Sequence, residues 1–244
     1  MILCAGYGKR MRPYTDKIQK TMIPVHGKPL LDYIVSGLIH AGFKELVLVV
    51  NYRKDQIIDY FKDGSQLNIN IEYVEQEELN GTGGALLACK NVISDSHLFL
   101  TWGDVLVPYR IYKIVRESSE KHDIDFILVS NYKEDLSMGG AIYCDGDFCV
   151  KIVEKEPKGT GTTQLNNCGI FVLSNEIFKA LERIIPSERG ELELTSALNY
   201  GISNYGWKVR IVKMDSNTFR GDFGNIQEYE RLNKDASWID QLLE

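Results

Sequence analysis

From Glu45 to Asn51 the chain reads ELVLVVN, an apolar run without polar alternation. A strand of that kind belongs in a sheet covered on both faces. Apolar runs at Met1–Cys4 and Leu98–Trp102 and a further strand pattern at Ile71–Gln76 are spaced by helical patterns. The first pattern follows Pro29, read here as a first helical residue, with a stripe of Leu30, Leu31, Tyr33, Ile34, Leu38, Ile39 and Ala41, and Gly42 ends it. The others run from Asp55 to Phe61 and from Ala85 to Lys90. Strand and helix in strict alternation predict an α/β protein with a mainly parallel sheet and right-handed crossovers. In such sheets ligands gather at the carboxyl ends of the strands.

The second half changes texture. A helix is expected at Tyr109–Ser119, a strand at Phe126–Asn131 and a hairpin pairing Gly140–Cys144 with Phe148–Val153. A Gly- and Thr-rich loop, Gly159–Thr163, leads to Asn167 and a strand at Gly169–Leu173. Helices at Asn175–Ile184 and Glu191–Ser203, a strand at Lys208–Lys213 and one amphipathic helix from Ile226 to Leu243 complete the series. No linker or repeat interrupts it, so a single domain over 1–244 is expected, with a first half over 1–108 and a second over 109–244.

The short first strand stops at Gly6 and Gly8, and Lys9, Arg10, Arg12 and Lys20 follow. Glycine frees backbone amides to approach phosphate, and the cations supply charge. A second glycine turn, Asn80–Gly84, follows the strand that ends at Gln76. Asp104 in WGD and Asp222 in RGDFG stand at strand-end turns far apart in the chain. Two such carboxylates beside a phosphate site suit one Mg²⁺, which takes a carboxylate or two and completes its octahedron with phosphate and water. Glu154 and Lys155, with Asn167, suit a polyol and its phosphate. Each feature read singly is a turn or a solvated charge; their placement at strand ends gives them joint weight.

With a net charge of −6, the balance disfavours a nucleic-acid surface and leaves room for a small anion in a local basic pocket. Five cysteines without CxxC spacing read as reduced core thiols of a cytoplasmic protein. No run approaches a membrane span, and no signal-peptide pattern opens the chain. His26, His40, His97 and His122 lack metal-ligand spacing, and no HExxH or GxSxG motif appears.

The series GYGKRMRPYT, QK, IPV, KP, NGTGGAL, WGD, MGGA, EKEP, NNCGIF, GELELT and RGDFGNIQEY resembles the sugar-1-phosphate nucleotidyltransferases, in family order across nearly the whole chain. The resemblance implies a Rossmann-like, three-layer α/β/α fold with a mixed, mostly parallel central sheet. It implies an NTP and a sugar 1-phosphate as substrates, with UTP or dTTP favoured by Gln76, and Mg²⁺ as cofactor. Gly6 and Gly8 would line the nucleotide, Gln76, Gly81 and Thr82 would meet the base, and Arg10 and Lys20 would grip phosphates. Asp104 and Asp222 would hold the metal. Gly139, Glu154 and Asn167 would hold sugar hydroxyls and Lys155 the sugar phosphate. No C-terminal β-helix is expected, and a homo-oligomer is compatible with the family. A silent nucleotide-sugar-binding regulatory subunit, or a transferase using GTP, CTP or phosphocholine, are the alternatives. The chain departs from the family pattern at Lys9, at Gln19 where proline is usual, at Trp102, at Ser196, and at Asn225–Ile226.

Overall fold

A computed structural model describes residues 1–93, 97–121 and 125–243; His122 lies outside them. In chain order the elements are β1 (Ile2–Leu3), β2 (Pro24–Val25), β3 (Lys28–Pro29), α1 (Leu30–His40), β4 (Glu45–Val50), α2 (Lys54–Phe61), β5 (Asn70–Glu75), α3 (Thr82–Ala88) and β6 (His97–Trp102). There follow β7 (Val105–Leu106), α4 (Tyr109–Lys121), β8 (Phe126–Tyr132), β9 (Gly140–Asp145), β10 (Phe148–Glu154), β11 (Leu165–Ser174) and α5 (Ile177–Leu181). The last are α6 (Leu194–Tyr205), β12 (Val209–Lys213), β13 (Gly221–Asp222), α7 (Ile226–Lys234) and α8 (Trp238–Leu243).

The chain divides into two compact units. The first comprises Met1–Leu79, Thr101–Ile114 and Thr218–Glu244; the second comprises Asn80–Leu100 and Val115–Asn217. In the first unit β5, β4, β1 and the end of β6 lie side by side, all parallel, in register Val49–Leu3–Trp102 and Val49–Val74. Leu48, Val49 and Val50 of β4 are buried, as the apolar run requires. Burying one such side chain contributes about 1.5–3 kcal/mol, so this strand alone outweighs many surface contacts. A separate ribbon pairs β7 with β13 antiparallel, Asp222 opposite Val105.

In the second unit the pairing is mixed. β8 is antiparallel to β11 and parallel to β12; β10 is antiparallel to β12 and to β9. All ten residues of β11 are buried, which makes it the spine of this unit. The hairpin β9–β10 turns at Gly146, where φ is +59°, as its Asp-Gly-Asp tip suggests.

Several expectations shift. Pro29 is not the first helical residue: its ψ of 141° is extended, and it pairs with Pro24 before α1 begins. α3 starts at Thr82, so Gly83 and Gly84 lie inside the helix and not before it. Asn167 lies within β11 and not in the loop ahead of it. The single C-terminal helix is two, because Asp235 leaves helical geometry and its carboxylate caps the Ser237 amide at 2.9 Å. The C-terminal segment from Thr218 belongs to the first unit. Among the described residues no helix is long and apolar enough to cross a membrane.

Candidate functional site

The first unit gathers an ionic cluster. Gly8 has φ of +62° and caps a 3₁₀ turn formed by Lys9–Met11. A Cβ there would stand 2.8 Å from Thr15 Cγ2 and 3.0 Å from Lys20 Cβ, so glycine answers both the backbone and the close packing of the loop on Lys20. Lys20 opens a second turn and its Nζ donates to Asp104 Oδ2. Asp104 follows Gly103, whose N–H donates to Leu3 O at 3.0 Å, so the aspartate hangs from the end of β1. Phe223 N donates to Asp104 O at 2.9 Å, continuing the β7–β13 pairing and setting Asp222 beside Asp104.

Asp222 is held in turn. Arg220 Nη1 donates to its Oδ2 at 3.0 Å, and Gly224 N donates to its Oδ1 at 3.0 Å. A Cβ on Gly224 would meet Asp222 Oδ1 at 2.8 Å and an Arg10 guanidinium nitrogen at 3.3 Å, which places Arg10 at the same spot. Burial pushes the Asp104 carboxyl up, but the Lys20 charge and hydrogen bond, with Arg220 and Arg10 beyond, outweigh it and hold the group below its usual range. Asp104 is therefore a carboxylate kept ionised beside Lys20, Arg220 and Arg10, with Asp222 held next to it on the same ribbon. Gln76 stands in the same unit directly after β5, buried, its carbonyl accepting from Asn51 Nδ2 at 2.8 Å. Gly6 is exposed, with open space where a Cβ would be.

The second unit gathers amides and hydroxyls around Glu154, with Glu193 near enough to interact with its charge. Gly81 has φ of +101°, and a Cβ there would meet Leu192 O at 2.6 Å. The turn it opens is stitched to the segment before α6: Leu192 N donates to Asn80 O at 2.6 Å, Gly83 N to Leu192 O at 2.7 Å, and Leu194 N to Thr82 Oγ1 at 3.0 Å. The next residue, Thr195, donates from its hydroxyl to Glu154 Oε1 at 2.9 Å. Two consecutive residues of α6 thus tie the glycine turn to Glu154. A Cβ on Gly140 would meet Glu154 Oε1 at 3.1 Å and Asn167 Cβ at 3.2 Å. Lys155, exposed and at φ of +50°, donates its N–H to Gly139 O at 2.7 Å. Gly139, Glu154, Lys155 and Asn167 are therefore brought together.

Asn167 is buried, and its Oδ1 accepts from Gly169 N at 2.9 Å. Among the described residues its Nδ2 has no partner, nor has Asn166 Oδ1 beside it. A buried amide donor without a partner costs about 1–3 kcal/mol, a cost that a ligand hydroxyl removes.

Sequence reasoning passed over two residues. Arg220 stands two before Asp222 in an extended segment, a spacing that puts both side chains on one face. Thr195 had only its place in GELELT to mark it, and its pairing to Glu154 is a product of the fold. All five cysteines are free thiols, four of them buried, and burial pushes the Cys4 thiol up to about 12.

Comparison with known proteins places this chain. The nucleotidyl transferase family model matches residues 1–238. A bifunctional protein GlmU of Methanococcus maripaludis is 39% identical over 204 residues, 84% of this chain and 47% of that protein. A glucose-1-phosphate thymidylyltransferase of Streptomyces griseus is 28% identical, over 96% of this chain and 64% of the relative. The chain thus spans about half the length of the GlmU relatives it matches. A solved UDP-glucose pyrophosphorylase, in complex with UDP-glucose, superposes with a TM-score of 0.85 over 98% of this chain and 97% of the other at 23% identity, which fixes the fold as the Rossmann-like α/β one. The chain belongs to the nucleotidyl transferase family, the one its ordered motifs resemble.

Proposed function

We propose that the protein transfers a nucleotidyl group from UTP or dTTP to a sugar 1-phosphate and releases pyrophosphate. The observation that carries this reading is the backbone pairing that sets Asp222 beside Asp104 inside a cage of Lys20, Arg220 and Arg10. An oxygen of the sugar phosphate attacks the α-phosphorus, and the bond from that phosphorus to the bridging oxygen breaks, so the electron pair leaves with pyrophosphate. The attacking oxygen is already anionic at neutral pH, so no general base is needed. The protein's task is to bring polyanions together in line and to neutralise them.

In this reading Arg10 binds the departing pyrophosphate and Lys20 the α-phosphate, with Gly6 and Gly8 giving the backbone close approach. Gln76, Gly81 and Thr82 meet the base. Gly139, Glu154 and Asn167 bind sugar hydroxyls, supported by the partnerless Asn167 Nδ2, and Lys155 takes the sugar phosphate. Asp104 and Asp222 offer hard carboxylate oxygens on adjoining backbone, a donor set that fits Mg²⁺ and not a thiol- or imidazole-loving ion. When bound, Mg²⁺ would neutralise charge that builds on the phosphates. The names of the relatives support nucleoside diphosphate sugars as product class. The test is pyrophosphate release from the four nucleoside triphosphates with glucose 1-phosphate, N-acetylglucosamine 1-phosphate and other hexose 1-phosphates, with and without Mg²⁺. Release with UTP or dTTP is expected; silence across the panel refutes the reading.

A further inference from the structure

We infer that Gln19 is a positioning residue that sets Lys20 against Asp104, acting with Gln56. The inference rests on the reading of Lys20 as a phosphate-binding group. Gln19 is wholly buried, at 0% exposure, one residue before a lysine, in a place where an apolar side chain would bury at no polar cost. Both ends of its amide hold neighbouring chain. Nε2 donates to Cys4 O, and Oε1 accepts from both Thr21 N and Thr21 Oγ1, the latter at 2.7 Å, which caps the turn that Lys20 opens. The Gln19 N–H donates to Gln56 Oε1 at 2.7 Å, while Gln56 Nε2 donates to Lys17 O at 2.9 Å.

The anchor matters because of its neighbour. Cys4 O holds Gln19, and Leu3 O holds Gly103 N at 3.0 Å. Two consecutive carbonyls at the end of β1 therefore fix the residue before Lys20 and the residue before Asp104. The lysine and the aspartate inherit their separation from one peptide unit of β1. A proline at position 19, the residue usual in the resembled motif, has no N–H for Gln56 and no amide for Cys4 or Thr21. In this chain the Gln19–Gln56 pair does that work. Tyr52 and Arg53, beside the start of α2, reinforce it by donating to Thr15 O and Asp16 O of the same loop.

The test is Gln19→Met and Gln56→Met, each in the wild-type and the Lys20→Ala background, in the full chain. Turnover is read as kcat and KM for the nucleotide, and binding of the four nucleoside monophosphates, which carry only the α-phosphate that Lys20 meets, is read separately by calorimetry. Gln19→Met should lower kcat by about 10- to 100-fold with KM moved less than about 3-fold, the scale set by a small misplacement of a reacting group. Affinity for the nucleoside monophosphate that binds best should fall about 10-fold for the same reason. In Lys20→Ala both losses should shrink to less than about 2-fold, since groups acting through one residue are not additive. Equal losses in both backgrounds, or wild-type values for Gln19→Met, overturn the inference. If Gln19→Met does not fold, Gln56→Met decides, with about a 3- to 10-fold loss expected by the same non-additivity. A wild type that turns over no substrate pair while monophosphate binding follows this pattern refutes the proposed function and leaves the positioning role standing. A wild type that binds no nucleoside monophosphate refutes the positioning role.

Discussion

The two units solve the problem of holding polar groups in opposite ways. In the first, charge is answered by charge: Lys20 with Asp104, Arg220 with Asp222, Arg10 close by. In the second, amides and hydroxyls dominate, and Asn167 Nδ2 and Asn166 Oδ1 have no partner among the described residues. The difference teaches how the proposed ligands would be met. A polyanion with its metal would exchange one set of ion pairs for another. A neutral polyol, with only hydrogen bonds to offer, would meet the partnerless groups.

The largest effect is expected at Asp104. Asp104→Ala removes a carboxylate from the proposed metal pair and strands Lys20, whose side chain is 14% exposed. Pyrophosphate release should fall by about 10³-fold, the scale of losing one electrostatic group aimed at the reacting centre. A mutant within tenfold of wild type in a steady-state assay would break the comparison at its ionic end.

Next is Gly81→Ala. The new Cβ meets Leu192 O at 2.6 Å at a backbone φ of +101°, so about 1–3 kcal/mol of stability should be lost. Chemical denaturation measures it; an unchanged midpoint would show that the 80–84 turn moves freely from the 191–194 segment. Asn167→Ala sharpens the neutral end. It should raise KM for the sugar 1-phosphate about tenfold, equivalent to one lost hydrogen bond of about 1.4 kcal/mol, with the nucleotide KM unchanged. A shift confined to the nucleotide KM would reverse the assignment of this unit.

The fold was legible in proportion to how local its causes were. β4, β5, β6 and the β9–β10 hairpin followed from apolar runs and turn residues and are within a residue or so of expectation. β11 was foreseen only as Gly169–Leu173, because Asn166 and Asn167 look like loop residues until a sheet surrounds them. The break at Asp235 could not be read from amphipathic spacing, since both halves keep a buried stripe, Tyr229 and Leu232 in one and Trp238 and Leu242 in the other. At the site, Arg10, Lys20, Asp104 and Asp222 stood out as charges beside glycine. Thr195 and the Gln19–Gln56 clamp act through long-range contacts that no spacing reveals, whereas Arg220 could have been found from its place two residues before Asp222.

A subtler effect is expected with pH. The Asp104 carboxyl is depressed in the folded protein, so the stability it confers is complete above its unfolded pKa, about 3.9, and is lost as pH falls through the lower folded value. Urea midpoints of the wild type should therefore drop more steeply than those of Asp104→Asn below about pH 4. Parallel curves would mean that its cationic cage does not depress it. The smallest effects belong to Lys9→Ala and Arg12→Ala. Both side chains are exposed, and Arg12 pairs with exposed Asp16 at 3.2 Å. Each should change stability by less than about 0.5 kcal/mol and turnover by less than about twofold. A large loss in either would extend the cationic cage outward.

The ribbon of β7 and β13 has one more consequence. Asp104 and Asp222 owe their neighbourhood to backbone pairing, and most of the second unit, Val115–Asn217, is spliced into the chain between those two strands. A loop lengthened, shortened or recombined in that stretch leaves the pairing of the two strands in place. Under the proposed function, the insert that would recognise the acceptor can diversify by insertion and deletion while the ribbon that carries both aspartates is kept by peptide geometry.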